Sequence, residues 1–387
     1  MSDGNQVTAI VHAKLVTPHS VIDNGVIVVK DGRIAECGSH KEIAVPEDAF
    51  IIDAEGQYAG PGFIDIHCHG GGGHWAWEEP YLFALSHLKH GTTGILPTLF
   101  YNQSRENMLE GVRNVVQMEK QPFSSAIVGM HLEGPYINPK YGAITSPIRP
   151  PDPDEYHALL ELAGDRIKVW TLAPELPGQE EFAEAAAKYD IALSVGHSEA
   201  DAETIFSFVR YGLQIGCHCT NASGTTPSPS RYGGTREVGV DEAVLVHDDI
   251  YAEVIPDANG IHVRPLMCKL IYKTKGTDKV IIITDGMDTA GLPSEPGDPF
   301  EDVNYVEGLG LSGSRLTMDR AVRNMMRHTG AGIVDAFIMA SLNPAKVLKL
   351  DKEMGSLEKG KRANIVIVTG DIEVKQVMLE GKLYKEG

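Results

Sequence analysis

Short apolar runs alternate with helical stretches through the middle of the chain. The runs have the length and composition of buried strands, and the stretches between them are long enough for helices. We therefore predict an α/β fold, a TIM-like (β/α)8 barrel of parallel strands. The candidate strands span residues 63–69, 94–98, 126–133, 167–174, 192–197, 215–221, 251–257 and 280–285.

The two ends of the chain have a different pattern. Residues 8–52 and 355–381 contain short β-rich runs joined by tight turns, and Asp31-Gly32 is a typical hairpin signal. We expect both ends to pair into one small β-sandwich domain, with the barrel inserted between them. The predicted domains are residues 1–57 and 351–387 for the two parts of the small domain, and residues 58–350 for the barrel.

Polar or ionisable residues follow the apolar part of most candidate strands. The carboxyl ends of barrel strands meet at one mouth, where the active sites of this fold lie. Residues that are distant in sequence are thereby predicted to form a single site. These strand-end residues are His69, Thr98, Glu133, Glu175, His197, His218, Asn221, Asp257 and Asp285.

The first barrel strand ends in His67-Cys68-His69, and glycines follow at positions 70–73. In a strand, the period of two puts His67 and His69 on one face, so both imidazoles can reach the same metal ion. The glycines allow a sharp turn and leave space for a ligand. The alternative is a buried strand with two hydrogen-bonded histidines.

Three further strand ends carry Glu133, His197 and His218. Each of them alone is more often structural, as a cap, an ion pair or a packed histidine. Together they form a His₂Glu set, which is typical of catalytic zinc sites with one coordination position open for water. His131, two residues before Glu133, either supports this site or packs in the core.

Asp285 follows the apolar residues 281–283 and Thr284. A carboxylate beside such a segment is partly desolvated, which is costly unless a metal, a proton donor or a positive charge lies nearby. We predict that Asp285 is a general base, which takes a proton from water and later returns it to a leaving amine.

Charge and composition exclude several classes of protein. The chain has 387 residues and a formal net charge of −19, which argues against sequence-independent binding to nucleic acid or to an anionic membrane. An anionic substrate would need a local cationic pocket. We find no leader pattern and no apolar run long enough for a bilayer, so we expect a cytoplasmic protein.

The five cysteines do not form the pattern of a disulfide framework, and we expect reduced thiols. Cys217 and Cys219 flank His218 and offer a thiolate metal site as an alternative. If these residues lie in a strand, however, both sulfurs point away from His218.

In their order along the chain, these motifs resemble those of the amidohydrolase superfamily, and within it the enzymes that deacetylate N-acetylglucosamine 6-phosphate. The resemblance extends over nearly the whole chain. The matching segments include residues 61–70, 131–136, 196–198, 218, 221–222, 236–239, 260–263, 284–286, 312–314, 316–319, 340–345 and 355–364.

The resemblance implies one or two divalent metal ions per subunit, with Asp285 as the catalytic acid/base. Some members bind one ion and lack the first histidine pair, which this chain has, so the resemblance allows a second ion bridged by Glu133. Zinc is the metal that we expect, although iron, manganese and cobalt suit the same ligands. The implied ligands are Glu133, His197 and His218 for the principal ion, with His67 and His69 for the second.

The resemblance also implies the surroundings of the sugar phosphate. In the family, the residues equivalent to Arg236 and His262 come from the neighbouring subunit, which implies a homodimer. One position departs from the family: a histidine that contacts the substrate's amide carbonyl is commonly found where this chain has Ile144, which cannot donate a hydrogen bond. Either the metal polarises the carbonyl unaided, or the substrate differs. The implied substrate-binding residues are Asn221, Ala222, Arg236, His262, Ala143 and Gly313.

The implied activity is metal-dependent hydrolysis of N-acetylglucosamine 6-phosphate to glucosamine 6-phosphate and acetate. The same barrel and metal site could instead serve another N-acetyl amino sugar, such as the galactosamine epimer, an N-acyl amino acid or a cyclic amide. A non-catalytic sugar-phosphate sensor is a third possibility. A phosphate within reach of Arg236 and His262 would favour the sugar-phosphate hypothesis, and release of acetate would exclude the sensor.

Overall fold

The computed structural model describes residues 7–143, 146–223, 237–294, 297–298, 300–306, 308 and 310–385. Two eight-stranded sheets dominate these residues. The strands are β1 (Thr8–Val16), β2 (Val21–Lys30), β3 (Arg33–Ser39), β4 (Phe50–Asp53), β5 (Tyr58–Pro61), β6 (Phe63–Cys68), β7 (Gly70–Gly71), β8 (His74–Trp75), β9 (Thr92–Leu99), β10 (Met130–Glu133), β11 (Ile167–Leu172), β12 (Ala192–Val195), β13 (Leu213–Gly216), β14 (Tyr251–Val254), β15 (Val280–Ile282), β16 (Val303–Val306), β17 (Gly310–Ser314), β18 (Ile365–Val368), β19 (Val374–Leu379) and β20 (Lys382–Leu383). The helices are α1 (Pro80–Leu88), α2 (Arg105–Gln117), α3 (Pro153–Ala163), α4 (Gln179–Ala187), α5 (Ala202–Phe208), α6 (Val240–Val246), α7 (Pro265–Lys275), α8 (Met318–Thr329), α9 (Ile333–Phe337) and α10 (Asn343–Val347).

The first sheet joins the two ends of the chain. Its order is β20-β19-β18-β5-β1-β2-β3, with β4 paired to β1, and β5 links the halves because it pairs with both β1 and β18. Apolar side chains from both ends, such as Ile10, Ile27, Ile365 and Met378, share one core. The prediction of a small β-sandwich domain built from both chain ends is confirmed. Its boundaries at residues 57/58 and 350/351 stay a prediction.

The second sheet is the barrel. Its order is β15-β14-β13-β12-β11-β10-β9-β6, all neighbours are parallel, and each strand is followed by a helix from α1 to α8. Nearly every strand residue is buried, as expected where helices cover a parallel sheet. The predicted (β/α)8 architecture is confirmed, and its eight strands are the eight predicted runs.

Hydrogen bonds between the first and last strands close the barrel beside the predicted site. The backbone N–H of Asp285 donates to the carbonyl of His67, and that of His69 donates to the carbonyl of Gly286. Deeper in the barrel, the hydroxyl of Thr284 donates to Asp65 Oδ2 at 2.6 Å. Closure therefore fixes the ends of β6 and β15 against each other.

Several barrel strands are shorter than predicted. Residues 124–126 form a 3₁₀ turn, so β10 starts later, and β13 ends at Gly216, five residues before its predicted end at 221. The cause lies in the backbone: His197, His218 and Asp285 have φ angles of 51°, 25° and 50°, in the left-handed region that ends an extended strand. Such conformations are unusual for residues other than glycine and concentrate at functional sites.

Side-chain caps start several of the outer helices. Ser104 and Asp201 accept hydrogen bonds from the backbone N–H groups of Asn107 and Thr204, at the first turns of α2 and α5. Across the described part of the chain, no helix combines the length and apolarity needed to cross a membrane.

Candidate metal centre

The six side chains predicted to hold metal or transfer protons meet at the carboxyl ends of the barrel strands. Each of them is at most 8% exposed. They come from the ends of five strands, so the barrel alone brings them together. They are His67, His69, Glu133, His197, His218 and Asp285.

One group is built around Glu133 at the end of β10. Its Oε1 atom lies 2.8 Å from Nε2 of His197 and 3.3 Å from Nε2 of His218. The two Nε2 atoms are only 3.1 Å apart. Two imidazole nitrogens that face each other this closely need a proton or a cation between them, because their lone pairs repel.

The second group lies on the other side of Glu133. Nε2 of His69 is 3.1 Å from Asp285 Oδ1 and 3.3 Å from Glu133 Oε2. Nε2 of His67 is 3.6 Å from both Asp285 Oδ1 and Glu133 Oε1. Glu133 therefore lies between the two groups, where a ligand shared by two ions would be.

The opposite ring nitrogens hold the histidines in place. When Nδ1–H donates to a carbonyl or a carboxylate, the ring orientation is fixed and the Nε2 lone pair is free for a metal. The partners of Nδ1 are the carbonyl of Thr98 for His69 at 3.0 Å, the carbonyl of Asn221 for His218 at 3.1 Å, the carbonyl of Tyr141 for His197 at 3.4 Å, and the carboxylate of Glu253 for His67 at 3.4 Å.

The atoms at the centre of the cluster fit a divalent cation. Nε2 of His67, Nε2 of His69 and Oε2 of Glu133 are buried and make no hydrogen bond of acceptable geometry. Unpaired buried polar atoms are costly, so a ligand for them is the economical explanation. Imidazole nitrogens and carboxylate oxygens that lie within 4.8 Å of one another in each group form the donor set of zinc and related metals.

The pKa values in the cluster reflect the same contacts. Burial alone would lower the pKa of His69, but the carboxylates of Asp285 and Glu133 close to its Nε2 raise it to about 10. Burial would also lower the pKa of His218, but the hydrogen bond to Glu133 raises it to about 9. Burial would raise the pKa of Glu133, but the charge of His197 and hydrogen bonds from the histidines hold it well below its usual range. Metal ligands must be deprotonated, so protons and a cation compete for these atoms.

A cavity of about 230 Å³ opens directly above the cluster. The aromatic side chains of Phe100 and Tyr101 form part of its wall. Five residues predicted to bind substrate line it together with Glu133 and Asp285, whereas Arg236 and Ile144 lie outside the described residues. The five are Ala143, Asn221, Ala222, His262 and Gly313.

His262 lines the cavity of its own chain. That it also reaches the site of a neighbouring subunit, as the resemblance implies, stays a prediction. The backbone explains its position in the cavity: the N–H of His262 donates to Asp257 Oδ2 at 2.7 Å, and its carbonyl accepts from Asn221 Nδ2 at 2.9 Å. These bonds tie the residue to the mouth of the barrel in which it lies.

Other strand-end residues prove to be structural. Asp257 accepts hydrogen bonds from the backbone of the loop that leads to His262. Glu175 accepts from the hydroxyl of Ser198 at 2.7 Å, and Thr98 accepts from the backbone of Cys68 at 2.9 Å. They shape the loops around the cluster without joining it.

The two alternatives left open at nearby residues are decided by geometry. Both nitrogens of His131 have partners, the carbonyl of Ile66 and the hydroxyl of Thr171, so His131 packs under the cluster. The expectation that residues 217–221 continue the strand is wrong. Residues 217–221 form a turn, and Cys217 Sγ lies 3.7 Å from Nδ1 of His67, on the side of the ring opposite the free nitrogen.

Sequence reasoning missed Glu253, the carboxylate that contacts Nδ1 of His67. A signal was present, because Glu253 is the only charged residue of the strand Tyr251–Val254.

A larger cavity, of about 540 Å³, lies at the other end of the barrel around Phe123 and Arg166 and contains none of the cluster residues.

The fold and the cluster define the class of protein: a (β/α)8 barrel with a candidate cation site of four histidines and two carboxylates at the carboxyl ends of its strands. The model of the Amidohydrolase family matches residues 58–384. The chain belongs to this family, whose members typically depend on metal.

Among its relatives, the chain is 32% identical over 393 residues to N-acetylglucosamine-6-phosphate deacetylase of Bacillus subtilis (strain 168), with 95% of each chain covered. It is 27% identical to N-acetylgalactosamine-6-phosphate deacetylase of Escherichia coli O157:H7, with 96% of this chain and 97% of the relative covered. The crystal structure of N-acetylglucosamine-6-phosphate deacetylase from Pasteurella multocida superposes with a TM-score of 0.86 at 28% identity, covering 98% of this chain and all of the other.

Proposed function

We propose that the chain is a metal-dependent deacetylase that hydrolyses N-acetylglucosamine 6-phosphate to glucosamine 6-phosphate and acetate. The observation that carries this proposal is the convergence of four Nε2 atoms and two carboxylates on one point beneath a 230 Å³ cavity. Similarity over nearly the full length to deacetylases of this kind supports the choice of substrate.

One or two divalent cations, zinc first among them, would occupy the cluster. Glu133, His197 and His218 would hold one ion, and His67 and His69, with Glu133 shared, would hold another. A cation held there supplies polarisation of a carbonyl and an activated water. The side chains of the protein orient the substrate and move the proton.

Asp285 is the group that transfers the proton in this proposal. Burial would raise the pKa of its carboxyl, but the close contact with His69 and the charges of His67 and His69 outweigh burial and lower it. The carboxylate is therefore ionised at neutral pH and borders the cavity. It accepts a proton from the attacking water and delivers it to the amine nitrogen as the amide C–N bond breaks.

The sugar phosphate would lie along the cavity side that contains Asn221, Ala222 and His262, with Ala143 and Gly313 opposite. The chain carries a net charge of −19, so an anionic substrate needs local positive charge. We propose that Arg236 of a neighbouring subunit in a homodimer provides it. A cytoplasmic location, without nucleic-acid or membrane partners, stays a prediction.

A second candidate substrate is N-acetylgalactosamine 6-phosphate, because one relative that covers 96% of the chain is named for it. The two sugars differ only in the configuration of one hydroxyl group. Discrimination between such epimers depends on individual polar contacts to that hydroxyl.

The test is release of acetate from a panel of N-acetylated amino sugars, each with and without the 6-phosphate, with N-acyl amino acids as a further arm. The expected result is acetate from N-acetylglucosamine 6-phosphate and a large loss of kcat/KM without the phosphate. Preference for the galactosamine epimer would favour the second candidate. No acetate from any phosphorylated sugar, with metal bound, would refute the proposal.

A further inference from the structure

One buried carboxylate lies behind the metal cluster without being part of it. Glu253 is on β14 between Ala252 and Val254, and none of its surface is exposed. A carboxylate in such surroundings is costly unless it is paired and hydrogen-bonded. Its contacts should therefore explain why it is there.

The contacts of Glu253 lead to two histidines of the cluster. Oε2 lies 3.4 Å from Nδ1 of His67 and 3.3 Å from the backbone nitrogen of His218. The other oxygen, Oε1, is buried without a hydrogen-bond partner. A carboxylate kept only to stabilise the fold would be expected to use both oxygens. Its effect on the two histidines accounts better for the position.

His67 is held differently from the other three histidines. Their Nδ1 atoms face backbone carbonyls, whereas Nδ1 of His67 faces the carboxylate of Glu253. Such a pair fixes the ring and its tautomer, and it makes the opposite nitrogen a stronger metal ligand. That nitrogen, Nε2, is the atom that lies 3.6 Å from Asp285 and from Glu133.

The contact with His218 acts through the backbone. The N–H of His218 donates to the side chain of Glu253, and the N–H of Cys219 donates to its carbonyl at 2.8 Å. Both bonds fix the turn to β14, and an amide oxygen at position 253 can accept the first of them in place of the carboxylate. Removing the charge should therefore affect His67 far more than His218.

We propose that Glu253 is a positioning residue that sets the metal affinity of the half of the cluster formed by His67, His69 and Asp285. It does so by fixing the ring of His67 and increasing the electron density on Nε2. This inference rests on the proposed function only in requiring that the cluster binds divalent cations.

The test measures metal binding directly. Glu253→Gln keeps the size of the side chain and one oxygen acceptor but removes the charge. Zinc is titrated into metal-free protein in competition with a chromophoric chelator, which gives the number of ions per chain and the affinity for each. We expect two ions in the wild type, and in the variant a loss of about 10–100-fold in affinity for one ion with the other unchanged. Glu253→Ala should weaken the same ion at least as much.

Two control variants separate this effect from general disturbance. Cys217→Ala removes the other group near the same nitrogen, since its Sγ lies 3.7 Å from Nδ1 of His67. Glu155→Gln removes another buried carboxylate, which lies on the outer helix α3 and is paired with Arg149. Both variants should retain the two affinities of the wild type.

Retention of both wild-type affinities by Glu253→Gln would overturn the inference, as would an equal loss in Glu253→Gln and Cys217→Ala. A wild-type protein that binds one ion only would overturn it as well. If Glu253→Gln fails to fold, Glu253→Asp, which keeps the charge but moves it away from His67, is measured in the same way and should weaken the same ion. This test measures metal binding and does not depend on acetate release. A protein that binds two ions but fails the acetate assay described above would therefore refute the proposed function and leave this inference intact.

Discussion

Replacement of Asp285 by asparagine tests the proposed proton transfer at a single atom. The change keeps the size of the side chain and one oxygen near Nε2 of His69, which lies 3.1 Å from Oδ1. It removes the negative charge and the ability to accept and return a proton. Glu133 and the histidines that surround it remain, so the ion between Glu133, His197 and His218 should stay bound.

General acid–base catalysis by a well-oriented side chain contributes roughly 10²–10⁴-fold to rate, or about 3–5 kcal/mol of barrier. Among the described residues, only Glu133 adds a second carboxylate to the cavity that Asp285 borders, so we expect Asp285→Asn to lose the whole of that contribution in kcat. KM should change little, since the substrate contacts are elsewhere in the cavity.

The assay is steady-state acetate release at saturating zinc, with bound metal measured in the same samples. Glu155→Gln, on the outer helix α3 and not among the residues that line the cavity, serves as the matched control and should keep the wild-type kcat. If Asp285→Asn retained a kcat close to that of the wild type with metal bound, Asp285 would not be the acid/base. A loss of activity that merely followed a loss of metal would assign it a ligand role instead.

Three further predictions follow from single contacts. Glu133→Gln removes the carboxylate that contacts both groups of histidines, so metal analysis after dialysis should find both ions lost; normal metal content would contradict this. Burial lowers the pKa of His87 from 6.5 to about 4. Because the unfolded chain then binds a proton that the folded chain does not, the free energy of unfolding falls by roughly 3 kcal/mol as the pH drops from 6.5 to 4. Chemical unfolding of metal-free protein should show this loss in the wild type and not in His87→Gln, and equal pH profiles would refute it. Gly196→Ala would bring a Cβ within 2.5 Å of Cys217 Cβ, directly before His197. We expect about 1–3 kcal/mol of destabilisation and weaker metal binding, and an unchanged melting temperature would show that the turn relaxes freely.

The barrel and the convergence of the cluster residues at its mouth could be predicted because two strong patterns coincide. Each apolar run is short, and a metal-ligating or ionisable residue such as Glu133, His197 or Asp285 stands at its carboxyl end. The fold then makes residues at equivalent ends neighbours, whatever their separation in sequence. The same reasoning indicated the small domain, since both chain ends carry strands joined by tight turns.

Other features depend on geometry that a pattern does not contain. The left-handed conformations of His197 and His218 end their strands early, and the turn after β13 is what brings Cys217 next to His67. The role of Glu253 is visible only once β14 lies beside β13 in the barrel. The position of His262 follows from its bonds to Asn221 and Asp257, which motif similarity does not reveal.

The central claim is that these side chains hold divalent metal and use it to hydrolyse an N-acetyl group. The most direct test is a titration of zinc into metal-free protein, in which acetate release from N-acetylglucosamine 6-phosphate and bound metal are measured in the same samples. We predict no acetate without metal and a rate that rises with bound zinc until one or two ions per chain are present. Full activity in protein without detectable metal would contradict the account.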